Sequence, residues 1–318
     1  MLFLDPPDHT RVRGVFAKTF TPRSIERLRA RIQLVTDKRL DRMATAGGGD
    51  LIAELAYPLP VIVIAELLGF PPEDFPKLKQ WSDDMAGALA LRPTVEQQIK
   101  AAAAREEMRV YFDGVVATLR ARPGDNLLSA LLDLTSGPGG DDRLSPEELF
   151  ANCVLLLAAG HETTTNLIGN GMLALLRNPD QLANLRADPT LIDSAVDELL
   201  RYDAPVQWVT RVAGEDIPLT GGTLPAGAVV LASIGSGNRD PAQFTAPDRL
   251  DLRRPDNKHL SFGSGIHFCL GAALARMEGT IAIGSLVARL PTLRLDNHRP
   301  RWRGGVIFRG LHSLPVST

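Results

Sequence analysis

Apolar residues recur every three or four positions along most of the chain, which is the spacing of amphipathic helices. One such face carries Ile25, Leu28, Ile32 and Val35, after a capping threonine and a first-turn proline and before the glycines at 47–49. Proline and glycine breaks separate further helices, which we predict at about 57–68, 75–87, 95–120, 126–134 and 191–202. The pattern therefore predicts a mostly helical protein.

The longest predicted helix begins at a capping box, Ser145-Pro146-Glu147-Glu148, and ends near Arg177, before an Asn-Pro pair. At 1.5 Å per residue it is about 48 Å long. Its first half is strongly apolar around Cys153, so we expect this helix to cross the interior and Cys153 to be a core residue.

Short β segments make up the rest of the predicted structure. Alternating runs at 209–213 and 229–233 flank a Gly-Gly turn at 221–222, and runs at 293–295 and 306–315 predict a small terminal sheet. The fold class is therefore mostly α with minor β. The chain shows no internal repeat and no linker that would divide it, which predicts one domain over 1–318.

Composition excludes several functional classes. The chain has 318 residues, 44% hydrophobic and 23% charged, with a formal net charge of -2, which is ordinary for a globular protein and gives no nucleic-acid signal. Two cysteines far apart in sequence form no disulfide framework. The first residues lack a signal peptide, and the most apolar stretch, 51–70, contains two glutamates and two prolines. We expect a cytoplasmic protein without a membrane partner.

The decapeptide 262–271, FGSGIHFCLG, presents Cys269 just before a predicted helix. Free N–H groups and the positive end of the helix dipole favour a thiolate at that position. Gly263 and Gly271 remove side chains where a flat ligand would approach, and glycine permits positive φ. An ordinary turn around a small core cysteine is the alternative. A zinc site is disfavoured, because two cysteines provide no pair of ligands at zinc-site spacing.

Small and polar residues interrupt the long helix at 158–165, AAGHETTT. Ala159 and its small neighbours would let a flat ligand approach the backbone. Glu162 and Thr163 would put an acid and an alcohol in an otherwise apolar wall, which is unfavourable without a purpose. The alternative is a polar patch where the helix meets solvent, and spacing alone does not decide. The HExxH zinc pattern is excluded, because position 165 is threonine.

Three further candidates have simple alternatives. His9 and Arg13 are four residues apart on one face of a predicted helix, where they would bind a carboxylate or face water. Arg211 lies on a predicted strand and would by itself be an exposed arginine. Glu198 and Arg201, three residues apart, are placed to form an ion pair.

Taken in order, HTRVR at 9–13, AGHET at 159–163, ELLR at 198–201 and the decapeptide resemble the motifs of the cytochrome P-450 family, in its bacterial soluble type. The resemblance implies the cytochrome P-450 fold around one haem b, with Cys269 as the thiolate ligand of the iron. Glu162 and Thr163 inherit the roles of proton relay. The implied cofactor-binding residues are His9, Arg13, Ala159, Arg211, Phe262, Gly263, His267, Cys269 and Gly271.

Within this set, the resemblance implies that His9, Arg13 and Arg211 meet the haem propionates. His267 is also placed to meet a propionate, and Phe262 to shield the sulfur from water. The pair Glu198 and Arg201 is expected to be buried with an arginine from a later loop, for which Arg249 is the candidate.

The implied reaction inserts one atom of O2 into a small apolar organic substrate. Electrons would come from NAD(P)H through a ferredoxin or flavodoxin type partner, with Arg11 and Arg276 as docking candidates on a monomeric protein. A non-catalytic haem-binding remnant is the alternative. A peroxide-driven enzyme is disfavoured by the acid and alcohol pair at 162–163. Family members normally carry a substantial segment before the HTRVR helix, so we expect a fold incomplete at its N-terminus.

Overall fold

The computed structural model describes residues 1–87, 93–136, 144–296 and 299–318. Within these ranges the chain is mostly helical. The helices are α1 (Asp8–Ala17), α2 (Pro22–Glu26), α3 (Arg29–Ala46), α4 (Pro58–Leu68), α5 (Phe75–Gly87), α6 (Val95–Ala121), α7 (Leu127–Ser136), α8 (Pro146–Arg177), α9 (Pro179–Ala187), α10 (Ile192–Tyr202), α11 (Ile234–Gly237) and α12 (Ala272–Arg289).

The long helix α8 forms as the sequence predicts. Ser145 Oγ accepts the Glu148 N–H at 3.1 Å, and the Glu148 carboxylate accepts the Ser145 N–H at 2.8 Å, so both halves of the capping box are made. Cys153 is fully buried, which confirms that it belongs to the core. Because α8 is buried along most of its second half, it crosses the interior.

Two hydrophobic clusters meet along α8. One joins α3, α10 and α12 to residues 167–175, and the other joins α1, α5, α6 and α7 to residues 149–157, while α4 contributes to both. The AAGHETTT stretch, 158–165, lies between them. The polar residues of α8 are therefore placed at the junction of two apolar cores.

The β structure is limited to short antiparallel pairs. Strands β2 (Trp208–Val212) and β5 (Val229–Ser233) pair with each other, and β3 (Ile217–Leu219) pairs with β4 (Gly222–Leu224) around the predicted glycine turn. A third sheet has the order β1-β7-β6, from β1 (Gly48–Asp50), β6 (Arg294–Leu295) and β7 (Pro315–Ser317).

One prediction about the β structure is wrong in detail, and one strand is not predicted. The run at 306–315 forms isolated bridges, such as Val206 with Phe308, and the terminal strand starts only at Pro315. Its partner β1 was interpreted only as the end of a helix. Gly48 has φ +133°, and a Cβ there would lie 2.2 Å from the Val316 carbonyl oxygen, so the glycines also allow close strand contact.

The helix predicted after Thr21 is divided into α2 and α3. The turn between them closes with a hydrogen bond of 2.9 Å from the Leu28 N–H to the Ile25 carbonyl. Ile25, Ile32 and Val35 are buried as the pattern predicts, and Gly47, at φ +74°, ends α3. Among the described helices, none has the combined length and apolar character that a membrane crossing needs.

Candidate functional site

The loop before α12 holds Cys269 through its own backbone. The Cys269 N–H donates to the Phe262 carbonyl at 2.8 Å, and the Gly263 N–H donates to the Leu260 carbonyl at 2.7 Å. Gly263 has φ +69° and Gly265 has φ +66°, both in the left-handed region that favours glycine. These turns present the cysteine three residues before the first residue of α12.

Gly271 has a different reason to be glycine. Its φ is −87°, so the expectation of positive φ is wrong for this residue, which occupies the capping position of α12. Among the described residues, a Cβ added at Gly271 would meet no atom within 4 Å. The missing side chain therefore leaves open space two residues after Cys269.

The Cys269 sulfur has mixed surroundings. Burial raises the pKa of the thiol, while the Gly271 N–H and the charges of Arg13 and Arg276 act in the opposite direction. Arg276 lies 4.5 Å from the centroid of the Phe262 ring and donates to Asp197 at 2.8 Å. Burial dominates, so the pKa of the thiol is raised overall and the neutral thiol is favoured in the chain alone.

Four cationic or potentially cationic side chains lie in or beside this loop: His9, Arg13, Arg211 and His267, which we call the cationic cluster. The rings of His9 and His267 are 4.4 Å apart. Arg13 donates to the Phe268 carbonyl at 2.5 Å, and Arg211 is an exposed residue of β2 whose charge lowers the pKa of His267. Helix α1, strand β2 and the cysteine loop thus converge at one point.

Among the described residues, the cationic cluster is only partly balanced by negative charge: Asp5 raises the pKa of both histidines, but burial and the neighbouring positive charges outweigh it. His9 is only 2% exposed, and in the described part of the chain neither of its ring nitrogens has a hydrogen-bond partner. Burial lowers the pKa of His9 first, and the charges of His267 and Arg13 lower it further. Buried donors that repel one another favour a negatively charged acceptor. The residues present therefore fit the carboxylates of a haem, whose propionates are such acceptors.

Not every small residue of the 158–165 stretch lies on the exposed side of α8. Thr163 Oγ1 donates to the Ala159 carbonyl at 2.9 Å, and Ala159 is exposed although its helix crosses the interior. Gly160 points elsewhere, because a Cβ there would lie 3.2 Å from the Ile64 side chain of α4. Its small size serves helix packing, while the exposed Ala159 fits the expected approach of a flat ligand.

Glu162 lies apart from the alcohol. Its carboxylate accepts two hydrogen bonds from Arg303, at 2.8 and 2.9 Å, and one of 3.4 Å from Asn166. The acid and the alcohol predicted to act together therefore share no hydrogen bond here. Sequence reasoning missed Arg303, because it follows in an irregular segment 141 residues later and belongs to no recognised pattern.

The ion pair of α10 is buried as expected. Arg201 donates to Glu198 at 2.7 and 2.8 Å, and neither side chain is exposed. The third member is Arg254, whose Nε lies 3.0 Å from Glu198 Oε2, so the prediction of Arg249 is wrong. Arg249 takes part only through its carbonyl, which accepts from Arg201 at 3.1 Å and from Arg254 at 3.0 Å.

The docking candidates are both engaged within the chain. Arg11 pairs with Glu148 and Asp8, and Arg276 pairs with Asp197. Among the described residues, no group of three or more histidine, cysteine, aspartate or glutamate side chains is arranged to hold a metal ion. A single sulfur ligand to a metal already bound in a cofactor needs no such group.

Comparison with known proteins identifies the family. The family model for cytochrome P450 matches residues 83–293. "Cytochrome P450 CYP107DY1" of Priestia megaterium is 45% identical over 321 residues, covering 99% of this chain and 76% of the relative. The 6-deoxyerythronolide B hydroxylase of Saccharopolyspora erythraea is 41% identical over 314 residues, covering 98% and 76%.

Solved structures agree with the sequence relatives. The crystal structure of P450BioI in complex with a fatty-acid-ligated acyl carrier protein matches with a TM-score of 0.94 at 39% identity, covering 99% of this chain and 80% of that one. The structure of PksS of the Bacillus subtilis bacillaene polyketide synthase matches with a TM-score of 0.92 at 40% identity, covering 98% and 79%. This chain therefore belongs to the cytochrome P450 family, and it is a haem b monooxygenase that acts with O2, an organic substrate and a redox partner.

Proposed function

We propose that Cys269 is the thiolate ligand of the haem iron and that the cationic cluster holds the haem propionates. The observation that carries this is buried His9, whose two ring nitrogens lack a partner in the described structure. The His267 ring lies 4.4 Å from that of His9, and the positive charges of Arg13 and Arg211 act on this pair of histidines. When bound, a haem with a thiolate ligand supplies the chemistry that cleaves O2 and transfers one oxygen atom.

The remaining loop residues give that site its shape. Gly263 provides the left-handed turn, Gly271 leaves space beside the sulfur, and Phe262 packs next to the loop with Arg276 over its ring. Ala159 offers a small exposed surface on α8. Together these residues admit a flat cofactor on one side of Cys269 and exclude water on the other.

Glu162 and Thr163 move protons to the reacting oxygen in this proposal. The Thr163 hydroxyl is bonded only to the Ala159 carbonyl among the described residues, so it is free to rotate toward the open face. Glu162 must first release one of its two hydrogen bonds with Arg303. The carboxyl group then supplies the proton that the hydroxyl passes on.

We infer a small apolar organic substrate and an electron donor of the ferredoxin or flavodoxin type. Among the relatives, one is named for the 25-hydroxylation of vitamin D(3) and one for the hydroxylation of 6-deoxyerythronolide B. We further propose a cytoplasmic monomer in which residues 1–318 form one haem-binding domain.

The test is the substitution Thr163→Ala in the haem-loaded protein, supplied with a surrogate ferredoxin and reductase. Loss of the hydroxyl interrupts proton delivery, so we expect NAD(P)H consumption to continue while product per NAD(P)H falls roughly tenfold or more. Thr163→Ser keeps a hydroxyl and serves as the matched control. Equal product yield in Thr163→Ala and the wild type would contradict the relay.

A further inference from the structure

A row of side chains connects the surface of α5 to Glu162. Lys79 Nζ lies 2.9 Å from Asp83 Oδ2, and 43% of the Asp83 side chain is exposed. His161, on α8, is 1% exposed, and its Nε2 lies 3.7 Å from Asp83 Oδ1 and 4.0 Å from Glu162 Oε2. One buried imidazole thus stands between a solvent-facing carboxylate and the acid of the site.

The hydrogen-bond partners of His161 indicate which ring nitrogen carries a hydrogen. Nδ1 lies 3.2 Å from the Leu157 carbonyl oxygen and 3.2 Å from Ser82 Oγ. Because a carbonyl only accepts, Nδ1 carries a hydrogen. Nε2 is buried, lacks a partner in the described residues and faces two carboxylates, which also only accept. Nε2 is therefore the ring nitrogen positioned to exchange a proton with either carboxylate.

The charges around His161 come from three elements. Tyr57 approaches its ring edge-on, with centroids 5.5 Å apart, and donates to Asp83 at 3.0 Å. Asp83 lies on α5, and Glu162 lies on α8 itself. Burial would raise the pKa of Asp83, but the nearby His161 ring and hydrogen bonds from Lys79 and Tyr57 outweigh it and lower the pKa to about 2. Asp83 is therefore a carboxylate at neutral pH.

Each carboxylate also pairs with a cation. Lys79 pairs with Asp83, and Arg303 pairs with Glu162. The two ends of the row are thus alike: each is a carboxylate that pairs with a cation and lies near His161. A small rotation of the imidazole brings Nε2 within hydrogen-bond distance of one carboxylate or of the other.

We propose that His161 carries protons from solvent at Asp83 to Glu162, and so supplies the acid of the relay. A hydronium ion at the surface gives a proton to the Asp83 carboxylate, where an O–H bond forms. That O–H bond breaks as an N–H bond forms at His161 Nε2, and the N–H bond then breaks as an O–H bond forms on Glu162, so that no electron moves. This inference rests on the proposed role of Glu162.

A purely structural tie between α5 and α8 is the competing explanation, and the substitution His161→Gln separates the two. Glutamine keeps a hydrogen-bonding side chain of similar reach but does not take up a proton at neutral pH. Asp83→Asn removes the outer carboxylate. Asp84→Asn is the matched control, because it is the same change at the next residue of α5 and no contact between Asp84 and His161 is observed.

Turnover of the haem-loaded protein with surrogate redox partners is the first readout. We expect His161→Gln to slow product formation about tenfold or more and to raise the solvent deuterium isotope effect on it, because proton supply becomes limiting. Asp83→Asn should act in the same direction and Asp84→Asn should have no effect. The reduced, carbon-monoxide-bound spectrum should be unchanged in all three variants, since none of them touches the cysteine loop.

The second readout does not depend on turnover. In ¹⁵N-histidine spectra of the reduced, carbon-monoxide-bound protein, the Nε2 signal of His161 is assigned by its loss in His161→Gln. We expect this signal to move in Asp83→Asn and in Glu162→Gln, and to stay in place in Asp84→Asn. If the Nε2 signal stays in place in Asp83→Asn or in Glu162→Gln, the proposed route through His161 would be overturned.

Comparison with Glu162→Gln keeps the two proposals apart. If His161→Gln makes product at the wild-type rate with an unchanged isotope effect while Glu162→Gln does not, the route through His161 is wrong and the role of Glu162 stands. If Glu162→Gln also makes product at the wild-type rate, the proposed role of Glu162 is wrong, and the route that depends on it is overturned as well.

Discussion

At the scale of single residues, the positions of His9 and His267 disfavour protonation of either ring. Their rings are 4.4 Å apart, and Arg13 adds a permanent positive charge that lowers the pKa of both. An arrangement of this kind is unfavourable for the chain alone and becomes favourable when an anion is bound. The same residues therefore couple cofactor binding to protonation.

The coupling predicts a pH dependence of stability. Burial lowers the pKa of His9 and His267 from the ordinary value of 6.5, so the unfolded chain binds these protons first as the pH falls. We expect the free energy of unfolding of the haem-free chain to be greatest above pH 6.5 with respect to these groups, and to decrease below it. Urea unfolding between about pH 7.5 and 5.5 measures the slope.

The double substitution His9→Gln and His267→Gln should flatten this slope, while His312→Gln, at an exposed histidine, should leave it unchanged. Bound propionates would stabilise the protonated rings, so the haem-loaded protein should lose less stability on acidification than the haem-free chain. An identical slope in the wild type and the double variant would contradict the account of the cationic cluster.

At the scale of elements, one buried carboxylate joins α10 to the loop before the cysteine. Glu198 accepts from Arg201 and Arg254, and from the Asp251 N–H at 2.9 Å. Arg201 in turn donates to the Asn238 carbonyl at 2.9 Å. Glu198 and Arg201 therefore fix the position of the segment around residues 238–254, which is consistent with a structural role for this ion pair.

Substitution of the two candidate arginines tests this assignment. Arg254→Ala leaves Glu198 with one charged partner fewer in the interior, and we expect the free energy of unfolding to fall by about 1.5–3 kcal/mol. Arg249 contributes only its carbonyl, so Arg249→Ala should change it by about 0.5 kcal/mol or less. Urea unfolding of both variants measures the two changes in the free energy of unfolding. A larger loss in Arg249→Ala than in Arg254→Ala would show that Arg249 is the third member of the ion pair.

The sequence predicted local features better than long-range partners. The capping box of α8 and the glycine end of α3 are recognisable because all their groups lie within a few residues. Strand β1 was missed because its partner, β7, lies near the other end of the chain. Arg254 and Arg303 were missed for the same reason, since periodicity carries no information on which distant arginine reaches a given carboxylate.

At the scale of the whole molecule, the candidate site lies where separate parts of the fold meet. Residues 158–165 stand between the two hydrophobic clusters, and the cationic cluster combines α1, β2 and the cysteine loop. The chain spans 76% of the length of the relative from Priestia megaterium.

The two cysteines of the chain allow a matched test of the central claim, that Cys269 is the iron ligand. Cys153 is fully buried in the core. Burial raises the pKa of both thiols, but at Cys269 the Gly271 N–H and the charges of Arg13 and Arg276 act in the opposite direction, whereas burial is the cause at Cys153. Cys269 follows a glycine loop beside the cationic cluster. The same Cys→Ala change at both positions therefore separates ligand from core residue.

The measurement is the spectrum of the reduced, carbon-monoxide-bound protein for the wild type, Cys153→Ala and Cys269→Ala. The account predicts the red-shifted Soret band of a haem-thiolate protein in the wild type and in Cys153→Ala, and its loss in Cys269→Ala. Retention of that band in Cys269→Ala, or its loss in a folded Cys153→Ala protein that still binds haem, would contradict the assignment of Cys269.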